Sequence, residues 1–274
     1  MVSTASLAAM FFTLLLSLFL PVGLAIYFYR KYRFSLKAFF VGAAVFFLSQ
    51  IVIRTPLLLF LSSRTWFSDL SGNLFFSAVI IGGLTAGLFE ECGRYLGFRF
   101  ILKRELSWKS GLAYGLGHGG IEAIILVGLT YINNIVISLM INSGAFDRFA
   151  APQLGAEASL IKSQLVNLPA HIFAVAGVER ALALIIQVAL SLIVLYAVKR
   201  RRPLFLLAAI LLHTVLNAGA VYLQAANAGV WLIELYIAAI AVASFYMIIK
   251  SRLWIDPPAP CGMTTGGGTG DGVK

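Results

Sequence analysis

The stretch Gly87-Leu88-Phe89-Glu90-Glu91-Cys92-Gly93-Arg94 places two adjacent glutamates inside an apolar segment, residues 74–102. That segment exceeds the roughly 20 residues that a helix needs to cross the hydrocarbon core of a bilayer. An ionisable side chain at the centre of a bilayer costs on the order of 3 kcal/mol unless it meets a partner or a polar cavity. The stretch therefore predicts a membrane-spanning helix with polar chemistry buried beside it.

The composition of the whole chain indicates the same class of protein. Of its 274 residues, 60% are hydrophobic and 12% are charged, whereas a soluble domain has about 25% charged residues. The pattern predicts an all-α, polytopic transmembrane helical bundle of about seven spans. The predicted spans cover residues 6–29, 36–61, 74–102, 109–140, 168–198, 204–223 and 230–250.

The net charge of +10 comes from short basic clusters between the apolar stretches, at residues 30–33, 103–104, 199–202 and 250–252. This distribution argues against nucleic-acid binding and is typical of cytoplasmic loops in a membrane protein. Alternating the spans then predicts an N-out/C-in orientation. We expect one transmembrane domain over residues 1–255, a disordered Gly/Pro-rich cytoplasmic tail over residues 256–274, and a short interfacial helix in the loop 142–167.

The third span carries the first candidate site residues. Glu90 and Glu91 lie four and three positions before Arg94, so both can reach its guanidinium group on a helix. One glutamate could pair with Arg94 while the other points into a cavity as a general base acting on water. The alternative is a structural salt-bridge cluster of all three residues.

The fourth and sixth spans each carry a polar pair four residues apart. His118 and Glu122 share a helix face, a spacing that can hold a metal or share a proton. His213 and Asn217 could donate hydrogen bonds to a developing oxyanion. Each pair could instead be a hydrogen-bonding contact between helices.

The depth of these residues links the three spans. By helical rise, Glu90 lies about 20 Å from Lys103, and His118 about 14 Å from Lys109. His213 lies about 15 Å from Arg202 on the same measure. The three spans therefore bring their polar side chains to a similar level near the midplane, which favours one shared site.

Two other polar features are less specific. Glu179 and Arg180 lie towards the outer end of the fifth span, where they could form an interfacial pair or a lid over the cavity. Arg54 lies towards the outer end of the second span, and we expect its side chain to extend to the membrane surface.

These motifs resemble a known group of proteins. Glu90-Glu91-x-x-Arg94, Tyr114-x-x-x-His118 and His213-x-x-x-Asn217 are similar, in order and spacing, to the three motifs of the CAAX prenyl protease and bacteriocin-processing superfamily of intramembrane endopeptidases. The stretch Gly117–Glu122 and the pair Glu179-Arg180 resemble more specifically the bacterial YhfC family of intramembrane metalloproteases. The likeness covers about residues 1–255. Gln187 departs from it, standing in a region where a histidine is expected.

The resemblance implies a peptidase site and its roles. Glu90 would activate water, Glu91 and Arg94 would support it, and His118 would position the water. His213 and Asn217 would stabilise the oxyanion. A zinc ion is compatible with this set, held by His118, His213 and either Glu122 or Glu90, although members of the superfamily are described both with and without a metal. The substrate would be a membrane-embedded or membrane-adjacent peptide, and the location a bacterial plasma membrane, crossed several times.

Two other classes of function fit the sequence. Glu90, His118 and Glu122 could form a proton or cation path in a transporter or channel. The absence of an internal repeat argues against a transporter built from duplicated halves. A non-catalytic membrane scaffold or immunity-type protein could also keep the fold without the chemistry.

Overall fold

The computed structural model of the chain describes residues 1–257, which contain helices and no strand. It confirms the predicted all-α bundle with seven helices long and apolar enough to cross a membrane. In chain order, these first to seventh spans are Thr4–Tyr32, Leu36–Ser62, Phe76–Ile101, Trp108–Ser143, Ala170–Lys199, Leu204–Ala225 and Val230–Ile255. The protein is therefore a multi-pass membrane protein. The predicted disorder of the tail falls on residues 258–274, outside the described part of the chain.

The two ends of the bundle differ in charge. At one end, called here the basic end, Lys37 binds the backbone oxygen of Ile101, and Lys199 binds Asp256. The basic clusters all lie at span ends on this side. At the opposite end, the backbone of Val2 is hydrogen bonded to the side chain of Asn142. The predicted N-out orientation would place the basic end in the cytoplasm.

The first half of the fourth span lies in the interior of the bundle, where every residue from Ser110 to Gly120 is buried. Glycines allow this close packing. A Cβ at Gly117 would collide with the backbone oxygen of Phe39, and one at Gly42 with that of Tyr114. Small residues let membrane helices approach to backbone contact. The glycines around His118 therefore fix the second span directly against the fourth.

Three spans widen into π-helical turns close to their polar residues. These stretches are Phe47–Arg54, Phe76–Leu84, Gly97–Ile101 and Ala123–Gly128. Such turns are rare and often occur at functional sites. The first contains Gln50 and Arg54, and the last begins directly after Glu122. Each π-helical stretch rotates the rest of its helix about the helix axis. It therefore changes the direction in which the polar side chains point.

The loop between the fourth and fifth spans contains the predicted short helix, which runs from Ala158 to Asn167. Its Leu165 is buried in an apolar cluster with Phe146 and Phe173. This loop helix packs across the end of the bundle opposite the basic end, where it forms one wall of a cavity described below.

Candidate metal centre

The two adjacent glutamates of the third span are buried with Arg94. Atom Nη1 of Arg94 lies 3.0 and 3.2 Å from the carboxylate oxygens of Glu91, and Nη2 lies 3.4 Å from Oε2 of Glu90. Arg94 and Glu91 have no exposed surface, and Glu90 has 4%. Of the two alternatives left open by the sequence, the structure has the cluster in which both glutamates pair with Arg94. We call Glu90, Arg94 and Glu91 the first triad.

His118 of the fourth span lies against the first triad. Its Nε2 atom is 2.8 Å from Oε2 of Glu90, and the whole side chain is buried. The rings of Phe46 and Tyr114 fix the imidazole from two sides, with centroid distances of 5.3 and 6.3 Å. The other ring nitrogen, Nδ1, has no hydrogen-bond partner among residues 1–257. The hydrogen bond to Glu90 and the packing of the two aromatic rings therefore orient this ring together.

His213 of the sixth span contacts the other glutamate. Its Nδ1 atom lies 2.7 Å from Oε1 of Glu91, and its Nε2 atom lies 3.9 Å from Oε1 of Glu90. An ionised carboxylate paired with Arg94 can only accept a hydrogen bond, so Nδ1 carries the proton. The lone pair of a neutral His213 is then on Nε2, facing Glu90. Asn217 lies half-buried one helical turn further on.

A second group of two glutamates and an arginine lies closer than the first to the end of the bundle opposite the basic end. Arg180 of the fifth span binds Glu122, with Nη1 3.3 Å from Oε1, and also binds its neighbour Glu179. Glu122, Arg180 and Glu179 form what we call the second triad. The predicted lid or interfacial pair is thus an ion pair that reaches into the polar centre of the bundle through Glu122.

Gln187 joins the two triads, although sequence reasoning assigned it no role in the site. Its Oε1 atom accepts a hydrogen bond from Arg94, and its Nε2 atom donates to Oε2 of Glu122 at 2.5 Å. The same Nε2 lies 3.5 Å from Oε2 of Glu90. The signal for it was present in the sequence, because Gln187 is an isolated amide in the apolar second half of the fifth span.

The second span adds two residues that sequence reasoning did not assign to the site. Gln50 donates a hydrogen bond to Oε1 of Glu90. Arg54 in turn donates to Oε1 of Gln50 at 2.9 Å and to the hydroxyl of Thr85 at 2.9 Å. The expectation that Arg54 extends to the membrane surface is wrong. Its guanidinium group points into the bundle because the π-helical turn directs it towards the third span.

Three of these side chains could hold a metal ion together. Ligand atoms of Glu90, His118 and Glu122 all lie within 4.8 Å of one another. Imidazole and carboxylate groups are the donors of many divalent metal sites. His213 was predicted as a third metal ligand, but it lies outside this group of the described residues. Glu122 lies beside His118, as the four-residue spacing between them predicted.

Comparison with known proteins agrees with this geometry. Residues 16–237 match the family model described as YhfC intramembrane metalloprotease. The chain belongs to the YhfC family. It is 42% identical over 237 residues to the Uncharacterized membrane protein YhfC of Bacillus subtilis (strain 168), covering 85% of this chain and 91% of that one. No solved structure matches the chain. The wider superfamily resemblance remains a prediction.

Charge provides a test of whether a metal fits this YhfC site. The two triads contain four carboxylates, those of Glu90, Glu91, Glu122 and Glu179, and two guanidinium groups. If all are ionised, the triads carry two net negative charges, of which Arg54, bonded to Gln50 beside Glu90, offsets one. Buried charge is expensive unless it is paired, so such a network is poor evidence for stability alone. A divalent cation between Glu90, His118 and Glu122 would offset the remaining negative charge, and two carboxylates with an imidazole suit it as ligands.

Proposed function

We propose that this protein is a membrane-embedded metalloendopeptidase that hydrolyses a peptide bond in or next to the bilayer. The observation that carries the proposal is the buried group of Glu90, His118 and Glu122, whose ligand atoms lie within 4.8 Å of one another. The YhfC family membership supports the same reaction class. The membrane location implies a membrane-embedded or membrane-adjacent peptide substrate.

The proposed metal is zinc, which binds histidine and carboxylate ligands and keeps an open position in catalytic sites. Zinc would supply electrophilic activation of water and of the scissile carbonyl group. Glu90 would serve as a ligand, because Gln50 contacts Oε1 and Arg94 contacts Oε2, which together orient the carboxylate. A carboxylate held in this way is well oriented for a metal.

We assign the proton-accepting atom to Nε2 of His213. Its partner Glu91 accepts the Nδ1 proton at 2.7 Å, which leaves the Nε2 lone pair free to take a proton from water. Glu91 would also stabilise the imidazolium that forms, and the same proton could then pass to the leaving amine. Nε2 of the neutral ring cannot donate to an oxyanion, so that role falls to Asn217 on the next turn.

The proposal is tested without a known substrate by comparing membrane proteins of cells that express the parent or the His213→Ala variant. Peptide termini created in the membrane fraction are measured by mass spectrometry. We expect a set of new termini in cells with the parent protein and its loss with the variant at equal protein level. Identical sets of termini in both would contradict a peptidase function.

A further inference from the structure

A second feature of the bundle is a cavity of about 510 Å³ at the end opposite the basic end. Its walls come from the fourth to seventh spans and from the loop helix Ala158–Asn167. The volume is in the range of sites that bind small molecules or short peptide segments. Six amide or carboxylate side chains line it among aliphatic and aromatic ones: Asn133, Asn134, Gln164, Glu179, Gln224 and Glu234.

The charged groups of this cavity are acidic. Glu179 shares Arg180 with Glu122. Glu234 of the seventh span has a buried Oε2 atom with no hydrogen-bond partner among residues 1–257. A buried carboxylate oxygen without a partner is costly, and a cationic group in the cavity would satisfy it.

The amide groups of the cavity suit a polypeptide. Each Asn or Gln side chain offers both a donor and an acceptor, as each peptide unit does. Asn133 and Asn134 lie on the fourth span, and Gln164 and Gln224 lie on the loop helix and the sixth span. A peptide segment in the cavity could therefore exchange its water hydrogen bonds for amide hydrogen bonds on several sides.

The cavity is linked to the candidate metal centre through the second triad. Glu179 lines the cavity and binds Arg180, and Arg180 binds Glu122, one of the three proposed ligands. An occupant that contacts Glu179 would thus lie one arginine side chain away from the metal group. This continuity distinguishes the cavity from a surface depression unrelated to the site.

We propose that this cavity binds the cationic group of a substrate polypeptide, a lysine side chain or a free amino terminus, with Glu234 as its counter-ion. The inference rests on the proposed function, to which it adds the substrate class. Glu234 sets the preference for a positive charge, and the amides contact the neighbouring peptide units. Peptides with this group are held with the adjoining chain directed towards Glu122.

The test measures binding of three tripeptides to the full-length protein in detergent by isothermal titration calorimetry. The first is acetylated and amidated Leu-Lys-Leu, and the second is the same peptide with norleucine in place of lysine. The third is the norleucine peptide with a free amino terminus. Mass spectrometry verifies that each peptide remains intact. We expect about tenfold tighter binding of at least one of the two cationic peptides than of the neutral one.

The variant Glu234→Gln should abolish this preference, whereas Glu105→Gln, the same charge change at the basic end, should leave it intact. Equal or undetectable binding of all three peptides to the folded parent would overturn the inference, and so would a preference that survives in Glu234→Gln. If Glu234→Gln does not fold, the comparison of the three peptides on the parent protein decides the question. Because the readout is binding, a lack of peptidase activity would refute the proposed function and leave this result standing.

Discussion

Nε2 of His118 lies 2.8 Å from Oε2 of Glu90, although the two residues are 28 positions apart and belong to different spans. Both side chains are buried, with an exposed fraction of 0% for His118 and 4% for Glu90. Glu122 completes the group from one helical turn beyond His118. Two buried donors and a third that is partly buried lie at one point and are the basis of the proposed metal centre.

Removing the partner of His213 should impair catalysis without removing the metal. In the Glu91→Gln variant the amide no longer fixes the proton on Nδ1, so the lone pair on Nε2 is lost in part of the molecules. We expect the rate of peptide hydrolysis to fall roughly 10²-fold or more, measured by the appearance of new peptide termini. His171→Ala, which changes an exposed histidine stacked on Trp231, should keep full activity. Undiminished activity in Glu91→Gln would exclude His213 as the base.

Gln187 should be important for stability because it joins the two triads. The change Gln187→Leu removes one buried hydrogen bond from Arg94 and one from Glu122, which keep their ion pairs. We expect a loss of about 2 to 5 kcal/mol in the free energy of unfolding, since each lost bond involves a charged group. Thermal unfolding in detergent measures it. Gln153→Leu, at an exposed position of the loop, is the matched control. Equal Tm values for the two variants would show that the bridge is not important.

The contact between the second and fourth spans depends on Gly117. A Cβ in Gly117→Ala would collide with the backbone oxygen of Phe39, which can move only with its helix. We expect destabilisation of about 1–3 kcal/mol or more, seen as a lower Tm. Gly23→Ala is the control, because a Cβ there has no neighbour within 4 Å. A Gly117→Ala protein as stable as the Gly23→Ala protein would contradict the close contact.

Asp256 at the basic end predicts a dependence of stability on pH. Partial burial raises the pKa of Asp256, but hydrogen bonds from Lys199 and from the backbone of Trp108, with the charge of Lys199, outweigh it and lower the pKa below its ordinary value of 3.8. A lowered pKa means that the stabilisation is present above the ordinary value and is lost as pH falls through the folded value.

The measurement is the Tm difference between the parent and Asp256→Asn across pH. We expect the parent to be more stable near pH 7 and the difference to shrink below about pH 4. Asp69→Asn, at an exposed position, should follow the parent throughout. A difference that grows on acidification would contradict the ion pair with Lys199.

The sequence predicted the spans well, because length and apolar content alone determine them. The predicted fifth span, residues 168–198, corresponds to Ala170–Lys199 in the structure. The polar motifs also converge as their depths indicated, since helical rise fixes height along the bundle axis. Glu90, Glu91, His118 and His213 therefore meet at one level.

Rotation about each helix axis was not predictable in the same way. Gln50 and Arg54 lie in a π-helical stretch that no periodicity in the sequence revealed. Gln187 is a lone amide in an apolar span, and nothing in its neighbourhood indicates which helix it faces. His213 has the right depth for a metal ligand, yet its Nδ1 atom is directed to Glu91. The direction in which each of these side chains points depends on packing between the spans.

The metal content of the full-length protein purified in detergent tests the proposed centre most directly. Elemental analysis of the parent should give about one equivalent of a divalent metal, zinc by our proposal, after incubation with zinc and removal of excess. His118→Ala and Glu122→Gln should lose it, and His213→Ala should keep it, at equal folding judged by thermal unfolding. A folded parent without bound divalent metal after incubation with zinc, manganese or iron would contradict the account.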